Sequence, residues 1–89
     1  MHGFQINAEL QGKLKKLAKK NSVLHGQILD KINEVINSYD IEHYKNLKYG
    51  MKDSKRVHIG YFVIIFQYDK KNDMINFDDF DHHDKIYDR

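Results

Sequence analysis

Arg56-Val57-His58-Ile59-Gly60-Tyr61-Phe62-Val63-Ile64-Ile65-Phe66-Gln67-Tyr68 is the stretch that decides how this chain folds. Val57 and Ile59 alternate with Arg56 and His58, the period of two that sends successive side chains to opposite faces of a strand. Gly60 marks a tight turn or a bulge. From Tyr61 to Tyr68 the residues are almost wholly apolar, as expected of a strand inside a sheet with both sides covered. Asp69-Lys70-Lys71-Asn72-Asp73 then reads as a hairpin loop. Met74 to Phe80 reads as the next strand, with Ile75 and Phe77 on one side. The spacing predicts three antiparallel strands in succession.

Upstream the period lengthens. Phe4-Gln5-Ile6 alternates as a short first strand, and Asn7 is placed to cap a helix beginning at Ala8. From Ala8 to Lys20 the apolar positions Leu10, Leu14, Leu17 and Ala18 keep helical spacing, with lysines on the other side. Asn21-Ser22 interrupts the pattern and supplies a second cap. Leu24, Ile28, Ile32, Val35 and Tyr39 continue at steps of three and four to about Ser38. So short a connection predicts an antiparallel helical hairpin. Asp40 to Lys45 reads as a loop or single turn. The order is short strand, two helices, three strands and a short tail: an α+β two-layer domain in which a helical hairpin packs on an antiparallel sheet.

Eighty-nine residues make one small domain, residues 1–89, and 40% hydrophobic with 31% charged residues places the chain among ordinary soluble globular proteins. The absence of cysteine excludes disulfides, zinc knuckles, iron–sulfur ligation and thiol nucleophiles. The longest apolar run, Tyr61 to Phe66, falls far short of the roughly 20 residues a membrane span needs. The first fifteen residues lack the apolar core of a signal peptide, so a cytoplasmic protein is expected. The net charge of +2 hides an asymmetry: residues 1–50 carry eight lysines against five acidic residues, whereas residues 69–89 carry seven aspartates against four basic residues. A basic body with an acidic end is compatible with a polyanion partner, although a charge run such as Lys13 to Lys20 is by default a solvated helix face.

Two segments carry candidate chemistry. Arg56 and His58 share the strand face opposite Val57 and Ile59, with Lys52 and Lys55 just upstream: a phosphate-handling surface, or a plain solvated one. In Asp81-His82-His83-Asp84-Lys85-Ile86-Tyr87, six of seven side chains exchange protons, and two are imidazoles that titrate near neutrality. Adjacent histidines on a strand point to opposite faces and do not easily chelate one ion, so no metal or other cofactor is expected. General acid–base work needs only one imidazole near the reacting oxygen. No hydroxyl nucleophile stands beside a base at a familiar spacing and no Gly-rich loop cradles phosphate, which argues against nucleophilic catalysis and nucleotide hydrolysis.

With these segments in hand, the chain resembles the RelE/ParE toxin superfamily, and within it the RelE-like mRNA interferases of type II toxin–antitoxin modules. The opening helix pattern Leu10-x-x-x-Leu14-Lys15-Lys16-Leu17 after a short strand carries part of the resemblance. The segment from His43 to Tyr49 resembles the loop leading into the sheet. Arg56 to Phe66 resembles the Arg-x-Arg-x-Gly strand pair, and His82-His83-Asp84-Lys85-Ile86-Tyr87 resembles the terminal His-Arg-x-x-Val-Tyr pattern. The resemblance spans nearly the whole chain and rests on the order and spacing of motifs that are individually weak.

The resemblance implies a RelE-like fold and metal-independent cleavage of mRNA in the ribosomal A site, in which the ribose 2′-hydroxyl attacks the neighbouring phosphate. It implies Arg56 as the cation that stabilises the phosphorane, and His58 as a phosphate-binding cation or a base. Lys52 and Lys55 would add charge along the RNA backbone. One of His82 and His83 would be the general acid, and Tyr87 the terminal aromatic against the substrate. The implied partners are a RelB-like antitoxin that wraps the toxin as a hetero-oligomer, the ribosome and mRNA, with no membrane. Val63 stands where the family often has an arginine three residues after the glycine, which removes one cation. Asp78, Asp79, Asp81 and Asp84 surround the acid; they would raise a histidine pKa and also repel RNA phosphate. His2, His25 and His43 match no family role and read as surface or loop residues. Two other readings share the fold: a ParE-like poison of DNA gyrase without nuclease chemistry, and an inactive relative that only binds an antitoxin.

Overall fold

Two asparagines delimit the helices of this computed structural model, which describes residues 1–46 and 54–87 except for the side chain of Tyr87. The Asn7 side chain accepts the Leu10 N–H at 2.8 Å and opens α1, Ala8–Lys20. Asn21 accepts the Leu24 N–H at 3.1 Å to open α2, Ser22–Ile36, while its own N–H closes α1 on the Leu17 carbonyl at 2.8 Å. One residue therefore ends one helix and starts the next, satisfying orphan groups of both. Tyr39 does not extend the α2 stripe. The helix stops at Ile36, the Asn37 N–H and side-chain amide both bond the Asn33 carbonyl, and Tyr39 is fully exposed.

The sheet has the order β1-β4-β3-β2, with β1 at Gly3–Ile6, β2 at Lys55–Ile59, β3 at Phe62–Asp69 and β4 at Met74–His82. The expected antiparallel set is β2, β3 and β4. The first strand adds to it in parallel, Gly3 opposite Met74 and Ile6 opposite Phe77, so the whole sheet is mixed. A short 3-10 turn, Ile41–His43, leads back from α2. Leu10 and Leu14 of α1, Ile28, Ile32, Val35 and Ile36 of α2, and Ile64, Phe66, Ile75, Phe77 and Phe80 of the sheet form one continuous core.

Phe77 and Phe80 are three residues apart, which in a regular strand would place them on opposite faces. Both are buried in the helix-covered core. The pairing explains this: Ile65 lies opposite Asp79 but Phe66 opposite Phe77, so Asp78 is the extra residue of a β-bulge. The bulge resets the alternation, and Asp79 and Asp81 turn to the other face. Burial and the neighbouring Asp79 push the Asp78 carboxyl above its ordinary range.

That other face is covered as well, though by a single turn. The chain end read as a tail is a short helix, α3 at His83–Tyr87, whose Ile86 is buried against Val63 and Ile65 of β3. The apolar run of β3 is thus accounted for on both sides. Among the described residues no helix is long and apolar enough to cross a membrane.

At the far end of β3 the chain start is locked down. The His2 N–H donates to the Ile36 carbonyl at 3.0 Å, and the Gly3 N–H to the Asp73 carbonyl at 3.1 Å. The His2 ring lies between two acceptors, the Asp73 carboxylate at 2.5 Å from Nδ1 and the Ser38 carbonyl at 2.7 Å from Nε2. Only an imidazolium donates from both nitrogens. The Asp73 carboxylate, which also accepts the Tyr68 hydroxyl at 2.8 Å, and then the Ser38 carbonyl hold the His2 pKa above its usual value. His2 is therefore a structural cation rather than a free surface residue.

Candidate active site

Cross-strand pairing builds the site. His58 lies opposite Val63 and Val63 opposite Asp81; Arg56 lies opposite Ile65 and Ile65 opposite Asp79. Partners across a sheet share a face. The α3 side of the sheet therefore presents a basic flank on β2, an apolar floor on β3 and an acidic flank on β4. With strands 4.7–4.9 Å apart, the two flanks are separated by about 10 Å. Ile86 sits on the floor between them.

The β2–β3 turn is Gly60-Tyr61, since Ile59 pairs with Phe62. Gly60 has φ +57°, the left-handed conformation that the first central position of a two-residue hairpin turn needs and that glycine adopts without steric cost. Tyr61 is therefore a turn residue at the hairpin tip, 79% exposed, and not the first residue of the buried strand. Its carbonyl accepts the His83 N–H at 2.7 Å, which ties the hairpin tip to the first residue of α3.

This tie brings one terminal histidine to the basic strand. The rings of His58 and His83 lie 5.7 Å apart, centroid to centroid, at 31°. His58 is exposed at the surface, yet desolvation by its surroundings is the largest influence on its ring, followed by the charges of Arg56 and His83; together they hold its pKa below the ordinary imidazole value. On the acidic flank Asp79 is met from α1: Lys13 bonds its Oδ1 at 2.6 Å, approaches Asp81 at 3.6 Å and donates to the Phe80 carbonyl at 3.1 Å along the β4 edge that β1 is too short to reach.

His82 goes elsewhere. It ends β4, and its ring packs edge-on to Phe62 at 5.5 Å and lies nearly parallel to Tyr61 at 6.2 Å and 12°. Its Nδ1 accepts the Asp84 N–H at 3.3 Å. Both imidazoles line one cleft of about 560 Å³ with Gly60, Tyr61 and Asp84, but only His83 is paired with His58.

Lys55 does not join the phosphate-handling face. As the neighbour of Arg56 on a strand it turns to the opposite side, where it is 8% exposed. Its ammonium is held there by the Tyr44 carbonyl at 3.2 Å, Asn46 Oδ1 at 3.1 Å and the Glu42 carboxylate at 3.7 Å. Lys52 lies outside the described residues, as does the part of the His43–Tyr49 loop from Leu47 onward. Tyr87 closes α3, and its side chain is likewise outside the described residues. Val63 is fully buried beneath Ile86, so the place of the family arginine is filled by packing. Sequence patterning assigns no site role to Lys13 or Tyr61. The signal for Tyr61 is the two-residue turn at Gly60; Lys13 has none, because its partners lie 66 and 68 residues away along the chain. Among the described residues no group of three His, Cys, Asp or Glu is placed to hold a metal ion.

No family model matches the chain. It is 43% identical to an uncharacterized protein of Methanosarcina mazei, over 98% of this chain and all of that one. The "Putative toxin RelE4" of Methanocaldococcus jannaschii is 41% identical over 98% of this chain and 92% of its own length. Among solved structures, the intact Escherichia coli RelBE toxin–antitoxin complex contains a chain that superposes with a TM-score of 0.74 over 92% of this chain and 96% of its own, at 19% identity. The last match carries the fold and the second the family: with helical hairpin, mixed sheet and closing turn all in place, this chain belongs to the RelE-like toxins.

Proposed function

We propose that this chain is the toxin of a toxin–antitoxin pair and an endoribonuclease that cuts mRNA on the ribosome. The observation that carries the chemistry is the facing pair His58 and His83 beside Arg56. His58, kept neutral around neutrality, removes the proton of a ribose 2′-hydroxyl. The 2′-oxygen forms a bond to the adjacent phosphorus as the bond to the 5′-oxygen breaks, and protonated His83 gives its proton to that departing oxygen. Arg56 stabilises the charge that develops on the phosphoryl oxygens. The products are a 2′,3′-cyclic phosphate and a free 5′-hydroxyl. Each imidazole would contribute about 10²–10⁴-fold. His82, occupied by the Asp84 N–H and the aromatic rings, is not assigned the acid role.

The RelBE structures of Escherichia coli and Mycobacterium tuberculosis are toxin–antitoxin complexes, which supports an antitoxin as the partner of this chain. The test is direct: the purified protein added to translating ribosomes yields mRNA fragments ending in 2′,3′-cyclic phosphate, and His83→Ala abolishes them while His82→Ala retains most of the activity. Cleavage that survives His83→Ala overturns the assignment. Intact mRNA with gyrase supercoiling blocked would replace this reading with that of a gyrase poison.

A further inference from the structure

Four aromatic rings run from the core to the surface at the hairpin tip. Phe80 stacks on Phe62 at 5.1 Å and 16°, Phe62 meets His82 edge-on at 5.5 Å, and His82 lies nearly parallel to Tyr61 at 6.2 Å and 12°. Phe80 is buried in the main core, whereas Tyr61 is 79% exposed. The centroid spacings lie in the range of interacting aromatic pairs. A large aromatic side chain left in water at a turn, with a second ring fixed beside it, has no evident role in holding the fold together. The position is also well defined: Gly60 fixes the turn, and the Tyr61 carbonyl is bonded to the His83 N–H at 2.7 Å. Tyr61 and His82 line the same cleft as His83, the group paired with His58.

We propose that Tyr61 and His82 form a stacking platform for an unpaired nucleobase of single-stranded RNA, next to the scissile phosphate. A base has a flat π-face whatever its identity, so such a platform binds without reading sequence, and it orients the nucleotide whose phosphate the imidazole pair addresses. Tyr61 is on this view a positioning residue: it holds the substrate while His58 and His83 move protons. The inference rests on the reading of the site as an RNA-cutting one, but it makes a separate claim about binding.

The test uses a single-stranded RNA hexamer carrying one 2-aminopurine, 2′-O-methylated so that it binds without being cut, titrated with the full chain. Stacking on the platform quenches 2-aminopurine fluorescence. Tyr61→Ala, a change at an exposed side chain, is expected to weaken binding about 5- to 150-fold and abolish the quenching, while Tyr61→Phe keeps both. Equal binding by Tyr61→Ala and wild type overturns the platform, whether or not the wild type cleaves. So does a Tyr61→Phe variant as weak as Tyr61→Ala, which would assign the effect to the hydroxyl, and so does failure of the wild type to bind the hexamer. If the wild type binds and quenches as expected but leaves ribosomal mRNA whole, the cleavage reading fails and the platform stands.

Discussion

His2 and His58 sit at opposite ends of β3 and are pushed in opposite directions. His2 has a carboxylate on one nitrogen and a carbonyl on the other, so the fold stabilises its charged form. His58 is partly desolvated and has a guanidinium and a second imidazole for neighbours, so the fold stabilises its neutral form. Neither difference is a property of the residue type. One end of this sheet is a lock, where His2 and Tyr68 both bond the Asp73 carboxylate and the second His2 nitrogen meets the Ser38 carbonyl. The other end is a cleft that gathers His58, Arg56 and His83, with Asp84 3.4 Å from the His83 ring, and its cationic side chains are of the kind that suit a phosphate.

The largest expected difference between the two ends is in activity. His58→Ala and His83→Ala should each lower mRNA cleavage by about 10²–10⁴-fold, measured as fragment yield over time on programmed ribosomes, whereas His2→Gln should leave the rate unchanged. Comparable losses from His2→Gln would erase the distinction. The next largest concerns the cleft floor. Val63→Arg restores the family cation in sequence but drives a charge into a fully buried position under Ile86. It is expected to destabilise the fold by several kcal/mol, on the order of 10 °C or more in Tm, without raising the cleavage rate. A folded, faster Val63→Arg enzyme would show that α3 is not seated on the floor during the reaction.

The acid side of the pH–rate profile offers a subtler contrast. Because His58 must be deprotonated to act and its pKa is lowered, the rise in kcat/KM with pH should come below the ordinary imidazole value near 6.5. Replacing its charged neighbour, Arg56→Met, should move that rise to higher pH in whatever activity remains. The smallest effect is on stability at the lock, and its sign is opposite. The folded-state pKa of His2 is raised, so its contribution is fully present below the unfolded value of about 6.5 and disappears as pH climbs through the raised one. The Asp73 carboxylate is lowered, chiefly by His2 and then by Tyr68, so its contribution is present above its unfolded value and disappears in acid. Thermal melts should therefore show His2→Gln a few degrees less stable than wild type near pH 5.5, with the gap closing in alkaline buffer. A gap that stays constant with pH would mean that His2 acts by packing alone.

Much of the architecture is legible in local patterns. Both helix starts are visible in Asn7 and Asn21, because a cap is a contact between residues three apart. The central strand is visible because Val63 to Phe66 is apolar at every position. The features that local patterns misplace are set by contacts distant along the chain. Tyr39 continues the helical spacing but falls beyond the cap that ends the helix. Phe77 and Phe80 both face the core only because Asp78 bulges, a fact of pairing with β3. Lys55 shares a basic run with Arg56 yet turns inward to Glu42 and Asn46.

By itself the sequence determined the periods of its segments, their caps, and the residue types near each other along the chain, because propensity and amphipathicity act over a few residues. It also placed the two imidazoles of the chain end side by side. Only the tertiary structure decided which of them joins His58. That choice depends on the Gly60-Tyr61 turn and on one hydrogen bond from the start of α3 to the hairpin tip, a contact 22 residues apart that no local preference encodes.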